Sequence, residues 1–154
     1  MGPVVATKTA FSRYAVFTGR ACRSEFNWFA AFIVAGSIAT YGFDDKLLDL
    51  IPNVPGVEYG PAGLTFEIAT TVPIAAVLSR RMQDVGHDGF AMAGAALVAQ
   101  IVAISGRFFD LPESSVLMTQ AIFAFVLIVA LIFLFRPSQP GPNKYGPNPH
   151  EVTQ

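Results

Sequence analysis

The chain has 154 residues, of which 53% are hydrophobic and 14% are charged, and its mean hydropathy is +0.49. A soluble domain usually carries about 25% charged residues, so the composition favours a membrane protein of a single domain. The net charge of −1 gives no overall field that would attract nucleic acid, and the single cysteine, Cys22, excludes an internal disulfide and a cysteine-based metal site.

Residues 1–25 are predicted to form a cytoplasmic or interfacial segment before the first apolar run. Phe11, Tyr14 and Phe17 recur at helical spacing, which is typical of an amphipathic helix that lies on a membrane with its aromatic side toward lipid. A flexible N-terminus with scattered aromatic residues explains the same pattern equally well. The segment lacks a continuous apolar core followed by a cleavage site, so we expect the first apolar helix to act as an uncleaved signal anchor.

Four apolar runs follow, and they predict an all-α fold, a polytopic bundle of four transmembrane helices within residues 26–135. At about 1.5 Å per residue, runs of roughly 17 to 20 residues just cross a hydrocarbon core of about 30 Å. The acidic stretch from Asp44 to Pro61 is predicted to be a loop, and the proline-rich residues 136–154 a cytoplasmic tail without regular helix. The predicted spans are 26–43, 62–79, 90–106 and 116–135.

The distribution of basic residues predicts the direction of these helices. With four spans, most basic residues fall on the side of the two termini and the central loop, namely Lys8, Arg13, Arg20, Arg23, Arg80, Arg81, Arg136 and Lys144. The other side receives only Lys46 and Arg107, so the positive-inside rule predicts that both termini are cytoplasmic. A three-span alternative, in which Glu67 and Pro73 prevent the second run from crossing, would place Arg80 and Arg81 outside, and the same rule disfavours it.

Small residues at intervals of four are predicted to mark the packed faces of two spans. Helices in lipid associate through close backbone approach and polar contacts rather than through apolar burial. We therefore expect two alanine stripes to face neighbouring helices: Ala31, Ala35 and Ala39 in the first span, and Ala91, Ala95 and Ala99 in the third.

Four polar side chains within the spans share one predicted depth, in the outer half of the bilayer. Glu67 lies about 7 Å below the outer boundary of its helix, and Ser37, Gln100 and Gln120 lie at similar depths. They predict a polar layer in which Glu67 bonds to Gln100 or Gln120. An intramembrane carboxylate is a functional candidate for a proton or ion path, or else it joins helices structurally. A single carboxylate, with no chain of partners reaching the other side, favours the structural interpretation.

Three polar segments, 17–26, 80–89 and 140–149, meet on the predicted inner side. Their candidate partner-binding or lipid-binding residues are Arg20, Arg23, Glu25, Arg80, Arg81, Asp84, Lys144 and Tyr145. Arginine–carboxylate pairs are expected at the headgroup level, with the tail folding back as a lid anchored by Tyr145. The cluster is either an ion-pair network that locks the topology or a pocket for anionic headgroups or an acidic partner segment.

These three segments resemble the signatures of the family called domain of unknown function 805, small bacterial inner-membrane proteins. The resemblance covers about Phe11 to Pro149 and rests on three motifs in the right order: Gly19-Arg20 with Arg23-Ser24-Glu25, then Arg80-Arg81 with Asp84, Gly86 and Gly89, then the tail Pro140-Gly141-Pro142-Asn143 with Tyr145-Gly146-Pro147. Gln83 departs from it, because the family usually has histidine there. The resemblance implies a bacterial inner-membrane location and no established activity.

The sequence therefore predicts a non-enzymatic accessory or scaffolding subunit that binds membrane-protein partners, a second copy of itself or anionic lipid. The alternative is a small transporter or channel component that uses Glu67. An enzyme acting on lipid headgroups, with Asp84 or Arg81 essential for turnover, is a third hypothesis that no spacing supports. We expect no cofactor, no metal and no nucleic-acid partner.

Overall fold

The computed structural model describes residues 1–50, 60–106, 108, 109, 111–149 and 151, and its regular structure is helical throughout. Within these residues there is no β-strand, which confirms the predicted all-α class. Its elements are α1 (Pro3–Ser12), α2 (Arg23–Leu50), α3 (Pro61–Asp84), α4 (Phe90–Ser105) and α5 (Glu113–Phe135).

Three of the helices, α2, α3 and α5, are long and apolar enough to cross a membrane. The second predicted run is among them, although Glu67 and Pro73 interrupt its apolar sequence, because α3 continues unbroken through Pro73. The shorter helix is α4, whose 16 residues extend about 24 Å. That length is below the roughly 30 Å of a hydrocarbon core. Length and composition thus identify three candidate spans and one shorter apolar helix.

The predicted loop from Asp44 to Pro61 is wrong in its first part, because α2 continues to Leu50. The 28 residues of α2 extend about 42 Å, which exceeds the hydrocarbon core, so its charged last turns need not lie in lipid. The rest of that predicted loop, 51–59, lies outside the described residues.

Helix α2 begins at the end of the bundle where α3 and α5 both finish, so α3 and α5 run antiparallel to α2. The last turn of α3 lies beside the start of α2 and the end of α5, since Ala21 N–H donates to the Arg80 carbonyl at 3.1 Å and Arg81 Nε donates to the Phe133 carbonyl at 3.1 Å. We call this part of the bundle the arginine end. The core beneath it includes Phe26, Phe29, Val77, Leu78 and Val126.

Helix α1 ends at Ser12, so Tyr14 and Phe17 lie beyond it, and its one aromatic residue, Phe11, packs on protein instead of lipid. The Phe11 ring makes edge contacts with Phe29 at 5.6 Å and with Phe32 at 6.0 Å between ring centroids. Ala6 and Ala10 are buried on the same side. Helix α1 is therefore part of the bundle and lies against α2 and α3.

The first alanine stripe is wrong, because Ala31, Ala35 and Ala39 are exposed. The close approach between α2 and α3 occurs instead at Gly36, where an added Cβ would lie 2.6 Å from Cε2 of Phe66. In the second stripe Ala99 is buried, Ala95 is half-buried and Ala91 is exposed. Both differences arise because a four-residue spacing defines a stripe but not the direction in which it faces.

Asp44 links the two helices at the end of the bundle opposite the arginine end. Its carboxylate accepts hydrogen bonds from the backbone N–H of Ala62 at 3.1 Å and of Gly63 at 2.6 Å. These amides belong to the first turn of α3, where backbone donors have no partner within the helix and the helix dipole favours negative charge. A carboxylate of α2 therefore caps the N-terminus of α3.

We expect Asp44→Ala to lower the free energy of unfolding by about 1–2 kcal/mol, because it removes this cap. Reversible unfolding in mixed micelles of a mild detergent and SDS would measure the change. Asp45→Ala is the matched control, since Asp45 is exposed on the same turn. Equal effects of the two substitutions would contradict the capping role.

Candidate functional site at the arginine end

The last turn of α3 lies at the centre of three chain segments. The final carbonyl groups of a helix have no partner within the helix and need donors from elsewhere. Ala21 N–H supplies one to Arg80, Gln139 N–H supplies one to the Asp84 carbonyl at 2.9 Å, and Asn143 Nδ2 donates to the Gln83 carbonyl at 2.9 Å. The segment before α2 and the C-terminal tail thus both dock on the end of α3.

Asp84 lies between two arginines, and each carboxylate oxygen has its own guanidinium group. Oδ1 accepts from Arg20 Nε at 2.9 Å, while Oδ2 pairs with Arg81 Nη1 and accepts from Ser138 Oγ at 2.5 Å. Asp84 and Arg81 are completely buried, and Arg20 is 5% exposed. We call these three residues the Asp84 triad. Hydrogen bonds that involve ionised groups are the stronger kind, so the triad fixes three segments relative to one another.

The positive charge of the triad is directed at backbone carbonyl groups. Arg81 donates to the carbonyls of Phe133 and Arg136, where α5 ends and its dipole is negative. Arg20 donates through Nη1 to the Gly141 carbonyl at 2.7 Å and through Nη2 to the Gln139 carbonyl at 2.6 Å. Arg81 therefore caps α5, and Arg20 holds the tail against α3.

A second buried ion pair joins α2 to α3. Arg80 Nη1 lies 3.0 Å from Oε1 of Glu25, and both residues are buried. The pair lies between the first turn of α2 and the last turn of α3. Removing one partner of such a buried ion pair strongly destabilises the protein, because the other charge is then left buried and uncompensated.

Three residues of the site, Ser79, Gln83 and Asn143, were not among its predicted binding residues. The Gln83 side chain accepts from Gly19 N–H at 2.9 Å and donates to the Phe17 carbonyl at 3.0 Å, and Ser79 Oγ donates to that same carbonyl at 2.9 Å. Asn143 closes the tail turn through paired backbone hydrogen bonds with Gly146, each 3.0 Å long. The run Pro140-Gly141-Pro142-Asn143 predicts this turn, but no pattern in the sequence predicts that the turn contacts Gln83.

The structure divides the eight candidate residues of this end into two groups. The buried group, which belongs to the ion-pair network, is Arg20, Glu25, Arg80, Arg81 and Asp84. Arg23 and Lys144 are exposed, and Tyr145 is half-buried with Lys144 Nζ 4.8 Å from its ring centroid. A lipid phosphate cannot reach guanidinium groups that are completely buried. Among the described residues of this end, only Arg23, Lys144 and the other exposed basic side chains can contact a lipid phosphate or an acidic group of a partner.

The predicted polar layer is assembled only in part. Ser37, Glu67 and Gln100 line one cavity of about 400 Å³ between α2, α3, α4 and α5. Gln120 is exposed, whereas its neighbour Thr119 is buried, so the prediction of Gln120 as a layer member is wrong. Successive side chains on a helix point in directions about 100° apart. The depth of a residue in the membrane therefore does not determine whether its side chain faces the bundle.

Comparison with known proteins finds one family. The model of that family, described as protein of unknown function (DUF805), matches residues 14–147. No curated protein matches the chain. No solved structure matches it either. Among the described residues, no group of three or more histidine, cysteine, aspartate or glutamate side chains is placed to hold a metal ion.

Proposed function

The chain belongs to the DUF805 family, a membership that assigns no activity, and we propose that it is a non-enzymatic accessory or scaffolding subunit of the bacterial inner membrane. The observation that carries the proposal is that the arginine end has both buried and exposed basic residues. Arg20, Arg80 and Arg81 are buried and bind other parts of the chain, while other basic side chains are exposed. A rigid, outwardly basic face suits the binding of an acidic segment of a partner membrane protein.

The course of the chain supports a fourth membrane crossing by α4. Helices α3 and α5 run in the same direction and both finish at the arginine end, where Arg81 contacts the last carbonyls of α5. The chain between them, which contains α4, must return through the thickness of the bundle. The shortness of α4 is compatible with local thinning of the bilayer.

The arginine end is cytoplasmic in this proposal, together with both termini. The positive-inside rule supports that orientation, since Lys46 and Arg107 alone fall on the opposite side. The exposed basic residues near this end are Arg13, Arg23, Arg136 and Lys144. We expect each of these side chains to gain about 1 kcal/mol from the anionic lipids of a cytoplasmic leaflet. Lipid binding thus assists the docking of a partner and does not replace it.

A transporter or channel component that uses Glu67 is the alternative, and it has less support. The cavity beside Glu67 is polar toward one end and apolar toward the arginine end, where Phe26 and Leu78 line it. An ion path needs polar groups along its whole length. The polar lining of this cavity would have to be extended by another subunit.

The experiment is extraction of the native membrane into nanodiscs, followed by mass spectrometry of co-migrating proteins. We expect a partner membrane protein at fixed stoichiometry. Combined Arg23→Glu and Lys144→Glu substitutions should lower its recovery about tenfold, because they reverse two exposed charges of the proposed site. Lys46→Glu is the control, since it reverses an exposed charge near the opposite end. A chain that migrates alone, or only with copies of itself, would refute the role as an accessory subunit.

A further inference from the structure

A groove runs between α1 and the first half of α2, on the outer surface of the bundle. One face of each helix forms its walls, and the lining residues recur at helical intervals. They include Val4, Thr7 and Lys8 of α1 and Trp28, Ala31 and Ala35 of α2. The volume of the groove is about 610 Å³, which is within the range of roughly 300–1,000 Å³ typical of ligand sites.

The charge of the groove is positive. Of the described residues that line it, Lys8 alone is charged, and its side chain is exposed. The Thr7 hydroxyl group beside it donates to the Pro3 carbonyl at 3.0 Å. The ion pairs among the described residues do not involve Lys8, and residues 1–24 contain no acidic residue. We therefore expect an anion that pairs with Lys8 to come from another molecule.

The position of the groove along α2 relates it to one leaflet. In a bilayer that α2 crosses, the exposed residues of its surface face lipid. Trp28 lies about 8 Å and Ala35 about 18 Å along α2 from its first residue, Arg23. Tryptophan is enriched at the membrane interface, and a lysine stem can lie along apolar surface while its ammonium group reaches the head groups. The groove thus extends from the interface into the acyl chains of the leaflet at the arginine end.

This order of residues favours a phospholipid over a helix of a partner protein. An anionic phospholipid holds its phosphate at the interface and its acyl chains toward the middle of the bilayer. The groove offers Lys8 and Trp28 to the phosphate and head group, and small apolar residues such as Ala31 and Ala35 to a chain. A partner helix would have to carry a carboxylate into the bilayer to pair with Lys8, and a charged group within a membrane span is costly.

We propose that this groove binds one anionic phospholipid, such as phosphatidylglycerol. The phosphate pairs with Lys8 Nζ, the head group lies against the Trp28 ring, and one acyl chain follows Ala31 and Ala35. A zwitterionic phospholipid also carries a phosphate, but its own cationic group cancels that charge, so the groove prefers the anionic lipid. The site does not depend on a partner subunit, and it is separate from the Asp84 triad.

The test uses the fluorescence of Trp28, which is the only tryptophan of the chain and lines the groove itself. Bromine atoms on an acyl chain quench tryptophan fluorescence at short range. The full chain is placed in vesicles of phosphatidylglycerol and phosphatidylcholine at one fixed ratio, and the bromine is carried by one lipid or by the other. We expect brominated phosphatidylglycerol to quench as if it were enriched about fivefold at Trp28. A single lysine at an anionic membrane surface has an effect of about that size.

Matched variants separate the groove from the general attraction of anionic lipid. Lys8→Gln should abolish the preference, whereas Lys8→Arg should retain it because the charge remains. Lys46→Gln removes an exposed charge near the other end of α2 and should leave the preference unchanged. Ala31→Leu fills the groove and should lower the enrichment below about twofold. Ala39→Leu, exposed on α2 outside the lining, should not.

Three results would overturn the proposal. Equal quenching by the two brominated lipids would mean that the groove does not distinguish their head groups. A preference that persists in Lys8→Gln or in Ala31→Leu would mean that other basic residues of the protein attract the anionic lipid. Weak quenching by both lipids, together with a co-purified membrane protein that shields Trp28, would mean that a partner occupies the groove.

Discussion

Asp84→Asn should lower the free energy of unfolding by about 3–5 kcal/mol, although it changes neither the size nor the shape of the side chain. The substitution removes the carboxylate that Arg20 and Arg81 share and leaves two buried guanidinium groups without that charge. The tail should also loosen, because Arg20 is the donor to its carbonyls at Gln139 and Gly141.

Unfolding in mixed micelles with increasing SDS measures the stability change, and the rate of trypsin cleavage after Lys144 reports the release of the tail. Asp88→Asn is the control, because Asp88 is exposed and accepts a hydrogen bond from Phe90 N–H at 3.0 Å, which asparagine can also accept. We expect that control to stay within about 0.5 kcal/mol of the unchanged protein. A cost below about 1 kcal/mol for Asp84→Asn would show that the triad contributes little net stability.

Gly89→Ala should destabilise the protein by about 1–3 kcal/mol through overpacking. An added Cβ would lie 2.5 Å from the Cα atom of Ser79, and backbone atoms of a neighbouring helix cannot move aside as a flexible side chain can. The backbone of Gly89 has φ −98°, a value that alanine also adopts, so the cost comes from packing and not from conformation. Only glycine lets α4 begin so close to α3.

Gly94→Ala provides a control on the same helix, because it is expected to raise the stability of the protein instead of lowering it. No atom lies within 4 Å of a Cβ added there, and replacing glycine by alanine inside a helix stabilises it by up to about 1 kcal/mol. Thermal unfolding of the two variants in one detergent should therefore shift in opposite directions. Shifts of the same sign would contradict the close packing assigned to Gly89.

The all-α class followed from the sequence because apolar runs of membrane length are a local property. The bounds of α2 did not follow, since Asp44 remains helical while it caps amides that come 18 and 19 residues later. A charged residue after an apolar run usually indicates a loop. Here the charged residue stays within its helix, and its hydrogen-bond partners belong to another helix.

The residues of the arginine end were predictable as a group, but their pairing was not. Adjacent arginines of α3 point to different partners, with Arg80 at Glu25 and Arg81 at Asp84. Gln120 and Thr119 show the same limit within α5, where one residue separates an exposed side chain from a buried one. Such choices depend on the rotation of each helix against its neighbours, which the spacing of polar residues leaves open. The orientation in the membrane and the roles of Arg23, Lys144 and Tyr145 stay predictions.

The capping of α5 by Arg81 has a consequence for biosynthesis. The ribosome makes Arg81 about 50 residues before the carbonyls of Phe133 and Arg136 that it binds, and it makes the tail carbonyls that Arg20 binds later still. Until the tail emerges, the nascent protein holds buried guanidinium groups with only part of their partners. A chain that stops early keeps that defect permanently. Stability thus depends on complete synthesis, and we expect prematurely terminated products to unfold readily and to be degraded by membrane proteases.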